Sequence, residues 1–233
     1  MLQHVFGSLG KHWAARLILA AALFLLSAGS AGGHSDPVRS EPAAGSVVFL
    51  PLGEGGGAPG TFRLRTWLSE RAERNFSFLE VHDPAGQRVD VAGTLAFESQ
   101  GAVIAVDVAP KRIGEHKARY RLLSAVDGHI NTGEYAFYVA EAHPGANSRL
   151  EALPGRLTFR TPKALGAQSI KITLLRDGAS VYSGSAGFAA AEDADVAALD
   201  LPESAAGNYE VRWELMTNQG PRFGSYFFTV GGS

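Results

Sequence analysis

The sequence predicts an all-β protein built as two tandem sandwiches behind an export signal. Three observations predict it. Apolar and polar residues alternate with period two in segment after segment. Turn-forming residues separate those segments at short spacing. The closing stretch of the first half recurs in the second.

The chain opens with Lys11 and Arg16, followed by the apolar run Leu17 to Leu26 and the small residues Ser27 to Gly33. That run is too short to cross the ~30 Å of hydrocarbon in a bilayer, so residues 1–33 read as a secretory signal peptide. Two cleavage positions satisfy the small-residue rule. Cutting after Gly33 makes His34 the first mature residue; cutting after Ala31 leaves Gly32-Gly33-His34. No later stretch is long and apolar enough for the mature chain to insert stably in a membrane.

The first sandwich is expected over residues 34–140. Phe62 to Leu68, Phe76 to Val81, Val103 to Val108, His116 to Leu123 and Gly133 to Val139 are its strands. Asp83-Pro84-Ala85-Gly86 is a turn, and Pro110 to Gly114 another. His82, Asp83, Asp90 and Glu98 read as solvated residues of turns and sheet edges. Residues 141–147, containing Pro144 and Gly145, read as a linker. A second sandwich follows over 148–233, with strands at Arg156 to Arg160, Ser169 to Leu175, Ala194 to Leu201, Tyr209 to Leu215 and Ser225 to Val230. Arg176-Asp177-Gly178 is a hairpin turn signal.

Gly114 to Val139 aligns with Gly207 to Val230. Arg119-Tyr120 falls on Arg212-Trp213, and Tyr135-Ala136-Phe137 on Tyr226-Phe227-Phe228, with the aromatic residues at 120, 213, 137 and 228 read as core packing. The copies part at one loop: Asp127-Gly128-His129 in the first stands where the second has Asn218-Gln219-Gly220-Pro221.

Composition narrows the chemistry. There is no cysteine in the 233 residues, which excludes disulfides, thiolate nucleophiles and Cys-ligated metals. A formal net charge of −2 gives no electrostatic reason to expect nucleic acid or an anionic membrane as partner. Any metal must bind through nitrogen, oxygen or the thioether of Met216. Asp127 and His129, two apart in extended backbone, project to one side. A carboxylate with an imidazole suits Cu(II), Zn(II) or Ni(II). Two ligands alone make a weak site, and Asp-Gly-His is also a common turn.

Further residues carry a resemblance. His34 follows the signal, Ser40-Glu41-Pro42-Ala43-Ala44-Gly45 comes soon after, and Leu68-Ser69-Glu70 ends a strand. Asp83 to Val89 forms a central turn. Ser124 to His129, then Gly133 to Val139, close the module. In this order and spacing, His34 to Val139 resembles the CopC family of periplasmic copper-binding proteins, with 148–233 as a degenerate copy. The resemblance implies two immunoglobulin-like Greek-key sandwiches and one Cu(II) per chain. It implies His34 as ligand through amine and imidazole, with Asp127, His129 and Glu70. Val126 departs from the family's closing motif as an insertion. Met216, the only methionine after the signal, argues against a Met-rich Cu(I) site. Cleavage after Ala31 would instead leave a Gly-Gly-His terminus able to wrap Cu(II) or Ni(II) by itself.

The resemblance implies a periplasmic copper carrier for homeostasis or resistance, not an enzyme, delivering to an inner-membrane copper transporter. Two alternatives stand beside it. One is a histidine-brace copper oxygenase with Tyr135 or Tyr138 as axial group. The other is a metal-free immunoglobulin-like interaction module.

Overall fold

The computed structural model describes residues 35–51, 60–203 and 205–231. The expected signal peptide and His34 lie outside the described residues. The first eight strands are β1 (Pro37–Glu41), β2 (Val47–Leu50), β3 (Phe62–Leu68), β4 (Phe78–His82), β5 (Ala96–Glu98), β6 (Val103–Val108), β7 (Gly114–Leu123) and β8 (Ile130–His143). The rest are β9 (Arg149–Leu150), β10 (Arg156–Pro162), β11 (Ala167–Arg176), β12 (Ala179–Gly187), β13 (Ala189–Ala190), β14 (Ala194–Asp200), β15 (Gly207–Thr217) and β16 (Gly220–Val230). Every strand expected from alternation is present. Helical structure among the described residues is confined to three-residue 3-10 turns such as Arg74–Phe76.

The strands form three sheets of four, seven and five strands. The outer two are β1-β3-β6-β5 and β12-β11-β15-β16-β9; the middle one runs β13-β14-β10-β8-β7-β4, with β2 parallel to β8. The middle sheet is common to both sandwiches because β8 is. Its first part pairs with β7, from Ile130↔Leu123 to Val139↔Gly114, and its end pairs with β10, from Glu141↔Arg160 to His143↔Thr158. Phe137 and Val139 enter the first core, whereas Tyr138, Ala140 and Ala142 enter the second. β2 divides likewise: Leu50 packs in the first core, Val47 and Phe49 in the second. The Phe49 ring meets Phe159 and Trp213 edge-on, at 5.3 and 5.1 Å between centroids. Residues 34–233 accordingly form one compact unit. Glu141–His143, expected to begin a linker, are instead the last residues of β8. The two modules are both present, and the turn between them is only Pro144–Ser148, pinned by the Tyr226 hydroxyl on the Pro144 carbonyl at 3.0 Å.

The repeat is visible in the packing. Tyr120 lies opposite Gly133 and Trp213 opposite Gly224. In each pair the ring fills the space a Cβ would need, which is why glycine stands at both positions. At the entry to each module, Gly45 N–H donates to the Ala136 carbonyl (2.8 Å) and Asn147 N–H to that of Phe227 (2.7 Å).

Some polar residues read as solvated are not. Asp83 and Asp90 have almost fully buried side chains. Asp83 Oδ1 accepts the Ala85 and Gln87 amides, both at 2.9 Å, closing the turn, and Asp90 Oδ1 accepts Val81 N–H at 3.0 Å. His82 is half-buried with its Nδ1 enclosed. Glu98 bridges Arg63 and Arg65. His116 is fully buried, stacked on Phe137 at 5.8 Å, with Nδ1 on the Gly114 carbonyl at 3.2 Å.

Two outcomes follow from this packing. Phe49→Ala should cost about 3–5 kcal/mol. Because β2 and β8 serve both cores, tryptophan fluorescence and far-UV circular dichroism should report a single coincident unfolding transition; two separated transitions would show independent sandwiches. Burial, the dominant influence, pulls the His116 imidazole below its ordinary value of 6.5, with Asp83 opposing and Arg112 adding to it. The fold therefore holds His116 neutral while the unfolded chain protonates it below about pH 6.5. Stability present above that pH should decline as pH falls from about 7.5 to 5.5, and His116→Leu should flatten the melting-temperature profile over that range.

Candidate metal centre

β7 and β8 part company after the Leu123↔Ile130 pair, and Ser124–His129 loops between them. Ser124 organises this loop. It is buried, bridges to Ala72, and gives its N–H to the His129 carbonyl at 2.8 Å. Its Oγ accepts the amides of Val126 (3.1 Å) and Asp127 (3.3 Å), while its hydroxyl donates to Glu70 Oε2 at 2.8 Å. With the start of the loop fixed, the chain reverses through Gly128 at φ 75°, a conformation that favours glycine.

Asp127 then closes an Asx turn: Oδ1 accepts His129 N–H at 3.0 Å, and Oδ2 lies 2.8 Å from His129 Nδ1. The two side chains do converge, but not by the alternation of an extended strand. Residues 125–127 are turn, and the inserted Val126 sits at its tip.

The His129 backbone amide, with help from its ring and the Ser124 hydroxyl, holds the Asp127 carboxyl well below the usual carboxylate range. Asp127 is thus an anion at any physiological pH. Its bond to Nδ1 orients the imidazole and favours the tautomer with Nε2 as the lone-pair nitrogen, the way carboxylates prepare metal-binding histidines. The His129 side chain is 64% exposed and that of Asp127 25%, so the pair faces solvent.

One short segment ties this loop to the beginning of the described chain. The Arg71 carbonyl accepts Ala125 N–H at 2.8 Å and the hydroxyl of buried Ser35 at 3.2 Å. Ser69 and Asp36 exchange two bonds of 2.9 Å, and Asn131 donates to the Asp36 carboxylate. Ser35 is the covalent neighbour of His34. Of the expected ligands, Asp127 and His129 are in contact, Glu70 joins them through Ser124, and His34 lies outside the described residues.

Among the described residues no group of three or more His, Asp or Glu is close enough to hold a metal. An imidazole and an ionised carboxylate fit an N/O-ligated divalent cation, and the set needs further nitrogen to be complete. Tyr138, a candidate axial group for oxygen chemistry, belongs to the second core. The sequence reading missed Ser124, Ser35 and the Arg71 carbonyl. A serine three residues before Asp127 was the available signal for the first of these.

In the second module the equivalent loop is two residues shorter. Thr217 takes the place of Ser124, accepting Gln219 N–H at 3.1 Å and donating to the Gly220 carbonyl at 2.8 Å. Counting back from the matched turns at Pro42 and Pro144, residue 34 corresponds to Ala136, in the middle of β8.

The CopC domain family matches this chain twice, over residues 38–140 and 139–231. The chain is a member of the CopC family. The two matches overlap at Val139 and Ala140, inside the shared strand. Among solved structures, CopC from Methylosinus trichosporium OB3b is 22% identical, covering 46% of this chain and 95% of its own, with a TM-score of 0.37. PcoC, a methionine rich copper resistance protein from Escherichia coli, is also 22% identical, covering 46% of this chain and 99% of its own, with a TM-score of 0.34. Titin-A168169 is 12% identical, covering 85% of this chain and 98% of its own, with a TM-score of 0.29. No curated protein sequence matches. No helix among the described residues is long and apolar enough to cross a membrane.

Because Ser124 Oγ serves both loop amides, Ser124→Ala should destabilise the fold by about 1–3 kcal/mol and speed hydrogen exchange at Val126 and Asp127. Unchanged exchange there would show that the loop is held by other means.

Proposed function

We propose that this CopC-family protein binds one Cu(II) per chain outside the cytoplasm. It carries the ion in copper homeostasis or resistance, delivering it to a copper transporter of the inner membrane. Copper is its cargo rather than a catalytic cofactor. The ligands are the amine and imidazole of His34, freed by cleavage after Gly33, with the His129 imidazole and the Asp127 carboxylate. Glu70, held by Ser124, is a further acid within reach of the same loop. A tetragonal set of nitrogen with one carboxylate suits Cu(II) among divalent ions.

The observation that carries this reading is the shared anchor at Arg71. One carbonyl bonds both Ser35 and Ala125, so the first described residue and the Asp127–His129 loop are fastened to the same segment. The chain's own residues supply the rest. Ser124 sets the loop, Asp127 contributes negative charge at every physiological pH, and the exposure of His129 gives an incoming donor access for ligand exchange.

His129→Ala should lower Cu(II) affinity in isothermal titration by more than the ~10–100-fold typical of losing an outer-shell partner, with the melting curve of the apo form unchanged. One residue added before His34 should alter the nitrogen hyperfine pattern of the Cu(II) electron paramagnetic resonance spectrum and weaken binding. An indifferent spectrum would remove the amine from the ligand set.

A further inference from the structure

The outer face of the β4-β7-β8 sheet changes character along its length. Away from the Asp127–His129 loop it is a lattice of paired charges: Arg88 with Glu80, and Lys117 and Arg119 with Glu134. At the loop end it is apolar. Phe78 lies opposite Arg121, and Leu123 opposite Ile130. Phe76, on the 3-10 turn beside them, is 58% exposed, Ile130 53% and Val126, at the loop tip, 63%. Contacts join these segments into one surface. Arg121 donates to the Phe76 carbonyl at 2.6 Å, and Glu73 N–H to the Leu123 carbonyl at 2.8 Å.

The ionic balance at this end is just as distinctive. Segments 35–36, 69–78 and 121–131 hold three arginines, Arg71, Arg74 and Arg121, none ion-paired to a carboxylate among the described residues. They also hold four acids, Asp36, Glu70, Glu73 and Asp127. The balance of these side chains is one negative charge. The free amine proposed at residue 34 is largely protonated near neutral pH and brings the balance close to zero. A divalent cation that takes this amine as a ligand releases its proton and leaves about one positive charge.

We infer that this end of the first module docks on an anionic lipid surface, and that it does so when the loop carries its divalent cargo. The inference rests on the copper reading above and adds where the loaded protein goes. Exposed aromatic and aliphatic side chains around guanidinium groups suit the boundary between headgroups and acyl chains, where arginine pairs with phosphate oxygens. The apolar residues come from three separate segments at one end of a sandwich. A broad layer of headgroups fits that arrangement better than a peptide needing a groove. Without Lys11 and Arg16 of the expected signal the overall formal charge is −4, which conceals this local change. A surface charge next to anionic lipid contributes about 1 kcal/mol, so a gain of about one charge should raise partitioning about fivefold.

The test is cosedimentation of the mature chain, with and without one equivalent of Cu(II), with vesicles of equal phosphatidylglycerol and phosphatidylcholine, and of phosphatidylcholine alone. Isothermal titration of Cu(II) is run in parallel. The expected result is copper-enhanced binding to the phosphatidylglycerol vesicles only. It should weaken in high salt and be lost in a Phe76→Ser, Ile130→Thr variant that still binds Cu(II). A chain that takes up Cu(II) yet ignores those vesicles overturns the docking alone and leaves an acidic protein surface as the occupant. Equal vesicle binding with and without copper overturns the cargo dependence. A chain that takes up no Cu(II) overturns the copper reading and this inference together.

Discussion

The structure depends on a single strand being buried on both of its faces. β8 sends Phe137 and Val139 into one core and Tyr138, Ala140 and Ala142 into the other, and parallel β2 does the same beside it. A strand with a wet face can twist or slide at modest cost. A strand enclosed on both sides loses one core or the other with any change of register. The modules are therefore two lobes cut from a common sheet, joined where β8 is enclosed on both faces, while the loop end of the same strand keeps one face in solvent.

Much of this architecture was legible because half-buried strands alternate. Phe62 to Leu68 shows its period plainly and forms a strand with alternating burial. The shared strand was harder. Ala136 to Ala140 reads as an unbroken apolar run, which is how strands covered on both faces look. Such a run marks burial without saying that two different cores do the burying. The linker expected at 141–147 begins three residues later than that: Glu141 resembles a loop residue, yet it lies in β8 and pairs across to Arg160 at 2.8 Å. Short edge elements such as β5 and β13 left no pattern to read.

The candidate site was legible in its residues and not in its geometry. Asp127 and His129 announce themselves by chemistry and by their loss from the second copy. Their mutual bond arises from a turn, and the turn from Ser124, whose neighbours Glu70 and Ala72 are more than fifty positions away in sequence. Long-range backbone anchors like the Arg71 carbonyl have no side-chain signature at all. A sequence can name candidate residues, but the carbonyl that holds both Ser35 and Ala125 becomes visible only once the chain is folded.

The embedding of Ala136 inside β8 has a consequence for how such proteins can grow. Whatever chemistry a first residue performs through its unlinked amine belongs to a polypeptide once, however many times its gene is duplicated in line. Each fused copy surrenders its own head to the strand that precedes it. Capacity for such chemistry can rise only with the number of molecules made, while added modules are released from that duty and left to diverge.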